Sequence, residues 1–303
     1  MTRTVDTVAI EAGERLDVAV AKAAAVTRSR AARLIDAGAV TVNGVAVARS
    51  MRLAAGDRIT IALPGEPEVA APSAEDIPVP VVYEDEWLLV VAKPAGLVVH
   101  PAPGHPGGTL VNALLARTGR ALPGEGERPG IVHRLDAGTS GLMIVALEEQ
   151  AFERLREMMA AHEVTRNYLA LVEGAPPASA TIDAPIGRSP RHRKKMAVVA
   201  GGREAVTDVR RLEVHPQTAL VEARPRTGRT HQIRVHLSEA GYPIAGDRVY
   251  GRDRKLAGNL GLERPFLHAA GLAFRHPVTG APVELSEPLP EDLAGALERA
   301  RRG

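Results

Sequence analysis

The chain has 303 residues, 45% of them apolar, which is enough for a large domain with a real core beside a smaller one. Thirty-eight basic residues stand against 36 acidic ones, so the net charge is only +2 and any surface for a polyanion has to be local. There is no cysteine, which excludes disulfide frameworks, thiolate metal sites and cysteine nucleophiles, and the first residues offer no apolar segment for a secretion or membrane apparatus, so a cytoplasmic location is expected. Aromatic residues make up 3%, so Ala, Val, Leu and Ile must fill the core, and extensive base stacking on aromatic platforms is not available.

From Glu14, the spacing of Leu16, Val20 and Ala23 gives one apolar helical face. Thr27 is placed to cap a second helix over residues 28–37, with Gly38 as its stop. Residues 39–42, the turn Asn43-Gly44 and residues 45–47 read as a hairpin, and Gly56-Asp57 introduces a further strand over 58–63. Residues 1–63 are thus expected to form an αα-then-β module. Its second helix crowds Arg28, Arg30 and Arg33 together, a pattern that suits phosphates and also suits an ordinary solvated face. Residues 64–80 are rich in Pro, Ala and acid without periodicity, which predicts an extended linker that lets the modules move.

Trp87 to Ala92 read as a buried strand ending at Lys93-Pro94, where the lysine is expected to be solvated. A loop over 96–108 precedes a helix from Thr109, and a Gly/Pro-rich loop over 122–129 leads into IVHRLDAGTSGLMIVAL, residues 131–147. That stretch sets Asp136 between His133-Arg134 and a small hydroxyl-rich turn, followed by an apolar run that predicts a buried strand. On residues alone Asp136 also fits an Asx turn in which it merely accepts backbone N–H groups. A helix is predicted over 148–162, then a strand over 164–173 that puts Arg166, Tyr168, Ala170 and Val172 on one face.

The run RSPRHRKK, residues 188–195, is the densest basic segment and is expected to be a mobile loop, with Arg193, Lys194 and Lys195 available to phosphates. Strands are predicted either side of His215-Pro216-Gln217. From Thr230, alternation allows a strand, but the stripe Ile233, Leu237, Ala240 and the stop Gly241 favour a helix capped by Thr230. Arg234 then falls in the first turn, against the helix dipole, and needs a specific anionic partner. His231 and His236 do not share a helical face and have no acid between them, so no metal site is expected. Strands over 266–274 and 282–285 and a helix over 290–303 complete the chain.

His133-Arg134-Leu135-Asp136 with Thr139-Ser140-Gly141 resembles the signature HRLD-x-x-[ST]-[SG]-G of the RluA/RluD-type pseudouridine synthases. Lys93-Pro94-Ala95-Gly96, Tyr168 in RNYLALVEG, the run from Arg229 to His236 and Gly246-Asp247 resemble further motifs of that family, in its order. The resemblance implies an α+β catalytic domain over 81–303, a mixed and mainly antiparallel sheet with flanking helices. Residues 1–63 resemble the small RNA-binding module named after a small-subunit ribosomal protein.

By the same resemblance Asp136 is the nucleophile, Arg234 its ionic partner and Tyr168 the ring against the target uracil, with a hydroxyl that helps remove a proton. Arg134 and His133 would hold phosphates or neighbouring bases. Isomerising uridine breaks the bond from ribose to the base nitrogen and rejoins the base through carbon five, which needs a carboxylate to attack sugar or base; the sequence leaves both routes open. The expected partner is RNA, large-subunit ribosomal RNA before transfer RNA, acted on by a monomer without cofactor or metal. A non-catalytic RNA-binding protein and a metal-dependent hydrolase are the rival classes. Ala137-Gly138 replaces the charged pair often found after the aspartate in this family, which bears on fine sequence specificity.

Overall fold

The computed structural model describes residues 3–9, 12–63, 72–101, 106–124, 128–192 and 195–303. The chain divides into two units, Met1–Ala70 and Ala71–Gly303. In the first, helices α1 (Leu16–Ala23) and α2 (Arg28–Asp36) pack on a sheet of β1 (Arg3–Val8), β2 (Val40–Val42) and β3 (Arg58–Leu63), in the order β1-β3-β2. Thr27 caps α2 by accepting from Arg30 N at 3.3 Å, a contact worth about 1 kcal/mol, and Gly38 follows at φ +74°. Leu16, Val20, Ala31, Ile59 and Ile61 form its fully buried centre.

The hairpin expected at Asn43-Gly44 forms only as a turn. Val42 and Val45 exchange backbone bonds, but residues 46–47 are not a strand, because β3 brings Ile59 and Ile61 and takes the ladder with β2. Strand β1 escaped the sequence reading; it is an edge strand that gains its order from pairing with β3. The linker expected over 64–80 needs a correction too. Residues 64–71 lie outside the described ones, whereas 72–80 are held on the second unit: Asn112 donates to Ser73 O at 2.7 Å and Glu75 N donates to Asn112 O at 3.0 Å. An extended Pro-rich segment leaves its backbone groups unpaired, and Asn112 takes them up.

The second unit contains, in order, β4 (Val81–Glu84), β5 (Leu88–Lys93), α3 (Leu110–Thr118), β6 (Ser140–Ala146), α4 (Glu149–Ala160), β7 (Thr165–Glu173) and β8 (Ser179–Asp183). Then follow β9 (Ile186–Arg188), β10 (Met196–Val198), β11 (Val206–Val214), β12 (Thr218–Pro225), α5 (Gln232–Glu239), α6 (Arg254–Asn259), β13 (Leu267–Arg275), β14 (Pro282–Ser286) and α7 (Glu291–Arg302). Among the described residues nine strands make one sheet in the order β4-β5-β6-β13-β7-β12-β11-β8, with β14 also on β13. Only β6 and β13 run parallel, so the mixed, mainly antiparallel α+β architecture is as expected.

The apolar run after Gly141 is unbroken because both faces of β6 are covered. Leu142, Ile144 and Ala146 pack with Phe152 and Leu155 of α4, while Met143 and Val145 share a cluster with Leu110 and Leu114 of α3. The register then aligns Gly141, Ala269, Tyr168 and Ala223 across β6, β13, β7 and β12. Gly141 has φ +113°, and a Cβ there would lie 2.3 Å from Ala269 O. Gly141→Ala is therefore expected to destabilise the unit by roughly 3 kcal/mol, read as a fall in Tm of about 2–4 °C per kcal/mol. An unchanged Tm would mean that β6 and β13 can separate at no cost.

Candidate active site

Asp136 lies in the turn just before β6, and the turn is clamped through its carbonyl groups. Thr139 N donates to Asp136 O at 3.0 Å, Gly96 N to Ala137 O at 2.7 Å, and Arg264 Nη1 to Gly138 O at 3.2 Å. Lys93 Nζ donates to the carbonyls of Pro94, Leu97 and Ala137 at 2.8, 2.9 and 3.3 Å. Lys93 is thus not the solvated lysine expected from sequence: it is 1% exposed, and burial, with Arg264 nearby, brings its pKa down to about 7 against the opposing pull of Asp136. With the backbone held from beneath, the carboxylate is free to face outward. Its bonded partner is a side chain rather than the backbone N–H groups of an Asx turn: Arg234 Nη1 donates to Oδ2 at 3.0 Å.

Arg234 stands in the first turn of α5, where the helix dipole disfavours a cation. Two carboxylates offset that. Asp247 takes the fork, accepting from Nε at 2.7 Å and Nη2 at 2.9 Å, and leaves Nη1 for Asp136. Burial works against the guanidinium charge, but Asp247 and then Asp136 outweigh it and raise the arginine further above its ordinary value. The Asp247 side chain is fully buried, whereas that of Asp136 keeps 18% of its surface, so only the second carboxylate can meet a ligand. The helix boundary differs from expectation by one residue. His231, not Thr230, is the N-cap; its φ of +57° is left-handed, and its side chain makes no cap bond.

Asp136 opens onto a cleft of about 370 Å³ bordered by Tyr168, Arg166, His133, Arg134, Arg229 and His231. Tyr168 projects from β7, held between Ala223 and Ala269. Its burial raises the phenol pKa, opposed by Arg166 and reinforced by Asp136, so the hydroxyl is a neutral donor at neutral pH. Arg166, two residues away on the same face, donates to Pro225 O and Thr227 O, and its buried Nε has no partner among the described residues. His133 does not reach outward for phosphate as expected. It is buried, its Nε2 accepts from Ile144 N at 2.9 Å, and burial, with Arg166 beside it, lowers its pKa to about 3. Arg134 is the exposed member of the pair and borders the cleft.

Residues 87–239 match the RNA pseudouridylate synthase family and residues 14–59 match the S4 domain. An uncharacterised RNA pseudouridine synthase of Chloroflexus aurantiacus is 48% identical over 290 residues, 95% of this chain and 90% of its own. The chain belongs to the RNA pseudouridylate synthase family. A protein named ribosomal large subunit pseudouridine synthase D, from Zymomonas mobilis, is 43% identical over 292 residues, 93% of this chain and 92% of the relative. The solved human RNA pseudouridylate synthase domain containing 4 has a TM-score of 0.58 and 28% identity, covering 73% of this chain and 93% of that one. The protein is therefore an RNA pseudouridine synthase, an isomerase, with an S4 module ahead of its catalytic unit.

Within this synthase the predicted RNA contacts have unequal standing. Arg28 is paired with Asp17, whose pKa the neighbouring Arg15 lowers to about 2, so Arg28 shares its charge inside the module. Arg30 and Arg33 lie on α2, half-buried and exposed respectively. The described residues of the basic run 188–195 are loop apart from Arg188, which ends β9; the strands on either side, β9 and β10, pair antiparallel. Ile186 of β9 packs with Val235 of α5, and Lys195 Nζ donates to Val249 O at 2.8 Å, which anchors the ends of the run. Arg193 and Lys194 lie outside the described residues.

The sequence reading assigned no role to Asp247, although Gly246-Asp247 stood among the motifs that carried the family resemblance, and none to Tyr250, Arg166 or Arg264. His231 and His236, weighed there only as metal ligands, have separate partners: His236 engages Thr207 Oγ1 and Ala184 O, while His231 engages the Tyr250 hydroxyl. Among the described residues no helix is long and apolar enough to cross a membrane.

Proposed function

We propose that Asp136 is the nucleophile of this synthase and that its substrate is large-subunit ribosomal RNA in the cytoplasm. The observation that supports the first part is the shared arginine. Arg234 holds one oxygen of Asp136 while Asp247 fixes the arginine, so a carboxylate of set direction faces a cleft beside Tyr168. The reaction breaks the C1′–N1 bond of uridine and forms C1′–C5; the hydrogen on C5 leaves as a proton and N1 gains one, so the sum is an isomerisation. Asp136 either attacks C1′ or adds to the base, and the ring of Tyr168 lies against the uracil. As a neutral phenol, Tyr168 is suited to donate a hydrogen bond to the uracil or to the departing nitrogen rather than to the proton removal expected from sequence. Arg166 and His133 line the same cleft, and the Arg166 Nε and the His133 Nδ1 are buried without a partner among the described residues.

A stacked uridine must leave its helix to reach this cleft, at a cost of a few kcal/mol that phosphate contacts elsewhere offset. Arg134, Arg193, Lys194 and Lys195 of the basic run, and Arg28, Arg30 and Arg33 of the S4 module are assigned to that task. The ribosomal target rests on relatives named for the large subunit. The deciding experiment maps pseudouridines in total RNA from cells with and without the protein. Sites lost from large-subunit ribosomal RNA are the expected result, and sites lost only from transfer RNA would overturn that choice of substrate.

Arg193→Ala with Lys194→Ala is expected to raise KM for a structured RNA severalfold while kcat on saturating RNA stays within about twofold, because phosphate contacts contribute uniform binding. The salt slope should fall by about 0.7 for each single-stranded phosphate contact removed. A fall in kcat equal to the rise in KM would instead mean that the basic run shapes the cleft.

A further inference from the structure

His231 is a non-glycine residue in the left-handed region, at φ +57°, immediately before α5 and on the wall of the cleft. Such a backbone costs about 1–2 kcal/mol and persists only where the surroundings impose it. Here the surroundings are identifiable. His231 Nδ1 lies 2.9 Å from the Tyr250 hydroxyl, which already accepts from Met196 N at 3.0 Å. If the phenol donates its own hydrogen to Nδ1, the hydrogen of the neutral imidazole is on Nε2. Burial holds the ring below the ordinary histidine pKa, against the pull of Asp136, and Arg234 adds to the lowering. Nε2 in turn stands 3.9 Å from Asp136 Oδ1, while Arg234 Nη1 holds Oδ2 at 3.0 Å. The Tyr250 ring carries the Arg234 guanidinium at 5.1 Å from its centroid, so one tyrosine braces both groups that approach the carboxylate.

We propose that His231 is a positioning residue for Asp136: its Nε2–H faces Oδ1, fixes the rotation of the carboxylate about its bond to Cβ, and so presents one oxygen lone pair to the substrate. The inference rests on the reading of Asp136 as the nucleophile. The gap is about 1 Å longer than a hydrogen bond, and a small turn of either side chain as the uridine enters closes it. A carboxylate held at one oxygen only can swing; held at both, it has a single attack direction, and misplacement by about 1 Å costs on the order of 100-fold in rate.

The test separates the two ring nitrogens. In His231→Asn the shorter amide keeps the Tyr250 side of the ring and tolerates the left-handed backbone, whereas in His231→Gln the longer amide places an N–H where Nε2 was. Both variants, with the parent and Asp136→Asn, are mixed in excess with total RNA from cells lacking the enzyme, and new pseudouridine is followed through a single turnover. His231→Asn is expected to react about 100-fold more slowly, with half-saturating RNA within about twofold of the parent, and His231→Gln to recover most of the rate. Melting curves run beside them control for folding. A parental rate in His231→Asn would overturn the proposal, and so would equal rate losses in both variants accompanied by equal falls in Tm. Product made by Asp136→Asn would overturn the nucleophile itself, a result distinguishable from either of these.

Discussion

Asp136→Asn is expected to make no measurable pseudouridine while folding and binding RNA like the parent. The substitution keeps the size of the side chain and removes its charge, and the turn around it does not depend on that charge: Thr139 N bonds the backbone oxygen of Asp136, and Lys93 and Arg264 hold the next carbonyls. Arg234 retains Asp247, so no buried cation is left unpaired. What disappears is the group able to attack or to stabilise a cationic sugar carbon, and the rate should fall on the order of 10⁴-fold or more, the scale on which enzymes respond to loss of a nucleophile. The measurement is pseudouridine formed by protein purified free of host synthases, with the melting temperature and RNA affinity recorded beside it. A rate near that of the parent would remove Asp136 from the chemistry altogether.

The parts of this site that were legible in the sequence are those written into a local pattern. Asp136 is framed by its neighbours, Tyr168 falls on the inward face of an alternating strand, and Arg234 stands out as a cation in the first turn of a helix that should repel it. Helix α2 with its Thr27 cap, helix α3 with its Thr109 cap and the fully buried β6 are equally local. What the sequence hid depends on pairing between distant segments. Asp247 is 13 residues from Arg234 along the chain and Asp136 is 98, and only the fold shows that both share one guanidinium. Lys93 reads as solvated because nothing near it in sequence offers an anion, yet its ammonium is satisfied by three backbone carbonyls, one of them 44 residues away. The basic run 188–195 reads as loop, as its described residues beyond Arg188 are, but its charge masks the short strands on either side, whose order comes from Ile186, Met196 and Val198 packing beside Val235 and Tyr250.

The second large effect is expected at Asp247, which touches no substrate. Asp247→Asn preserves shape and can still accept from Val249 N and Tyr250 N, now at 2.9 and 3.1 Å, but leaves Arg234 with a single anionic partner in a buried place. Removing one member of a buried pair costs about 3–5 kcal/mol when the remaining charge has no partner, and with Asp136 still on Nη1 the loss here should be the smaller part of that, about 2–3 kcal/mol. The arginine is then free to turn wholly toward Asp136, and activity should fall with stability. The double variant Asp247→Asn with Arg234→Met removes both charges and is expected to regain most of the lost Tm while remaining inactive, since Asp136 has lost its anchor. The pH response supplies an independent reading. Burial pushes the Asp247 carboxyl up, but the hydrogen bonds and charge of Arg234 prevail and hold it below its ordinary value of 3.8. An acid whose folded pKa is depressed binds more protons unfolded, so its contribution is complete above about pH 4 and is lost as pH falls through the folded value. The parent should therefore lose stability more steeply below pH 4 than Asp247→Asn does. Parallel acid-denaturation curves for the two proteins, or a double variant no more stable than the single one, would show that Asp247 is not the partner that keeps Arg234 charged in place.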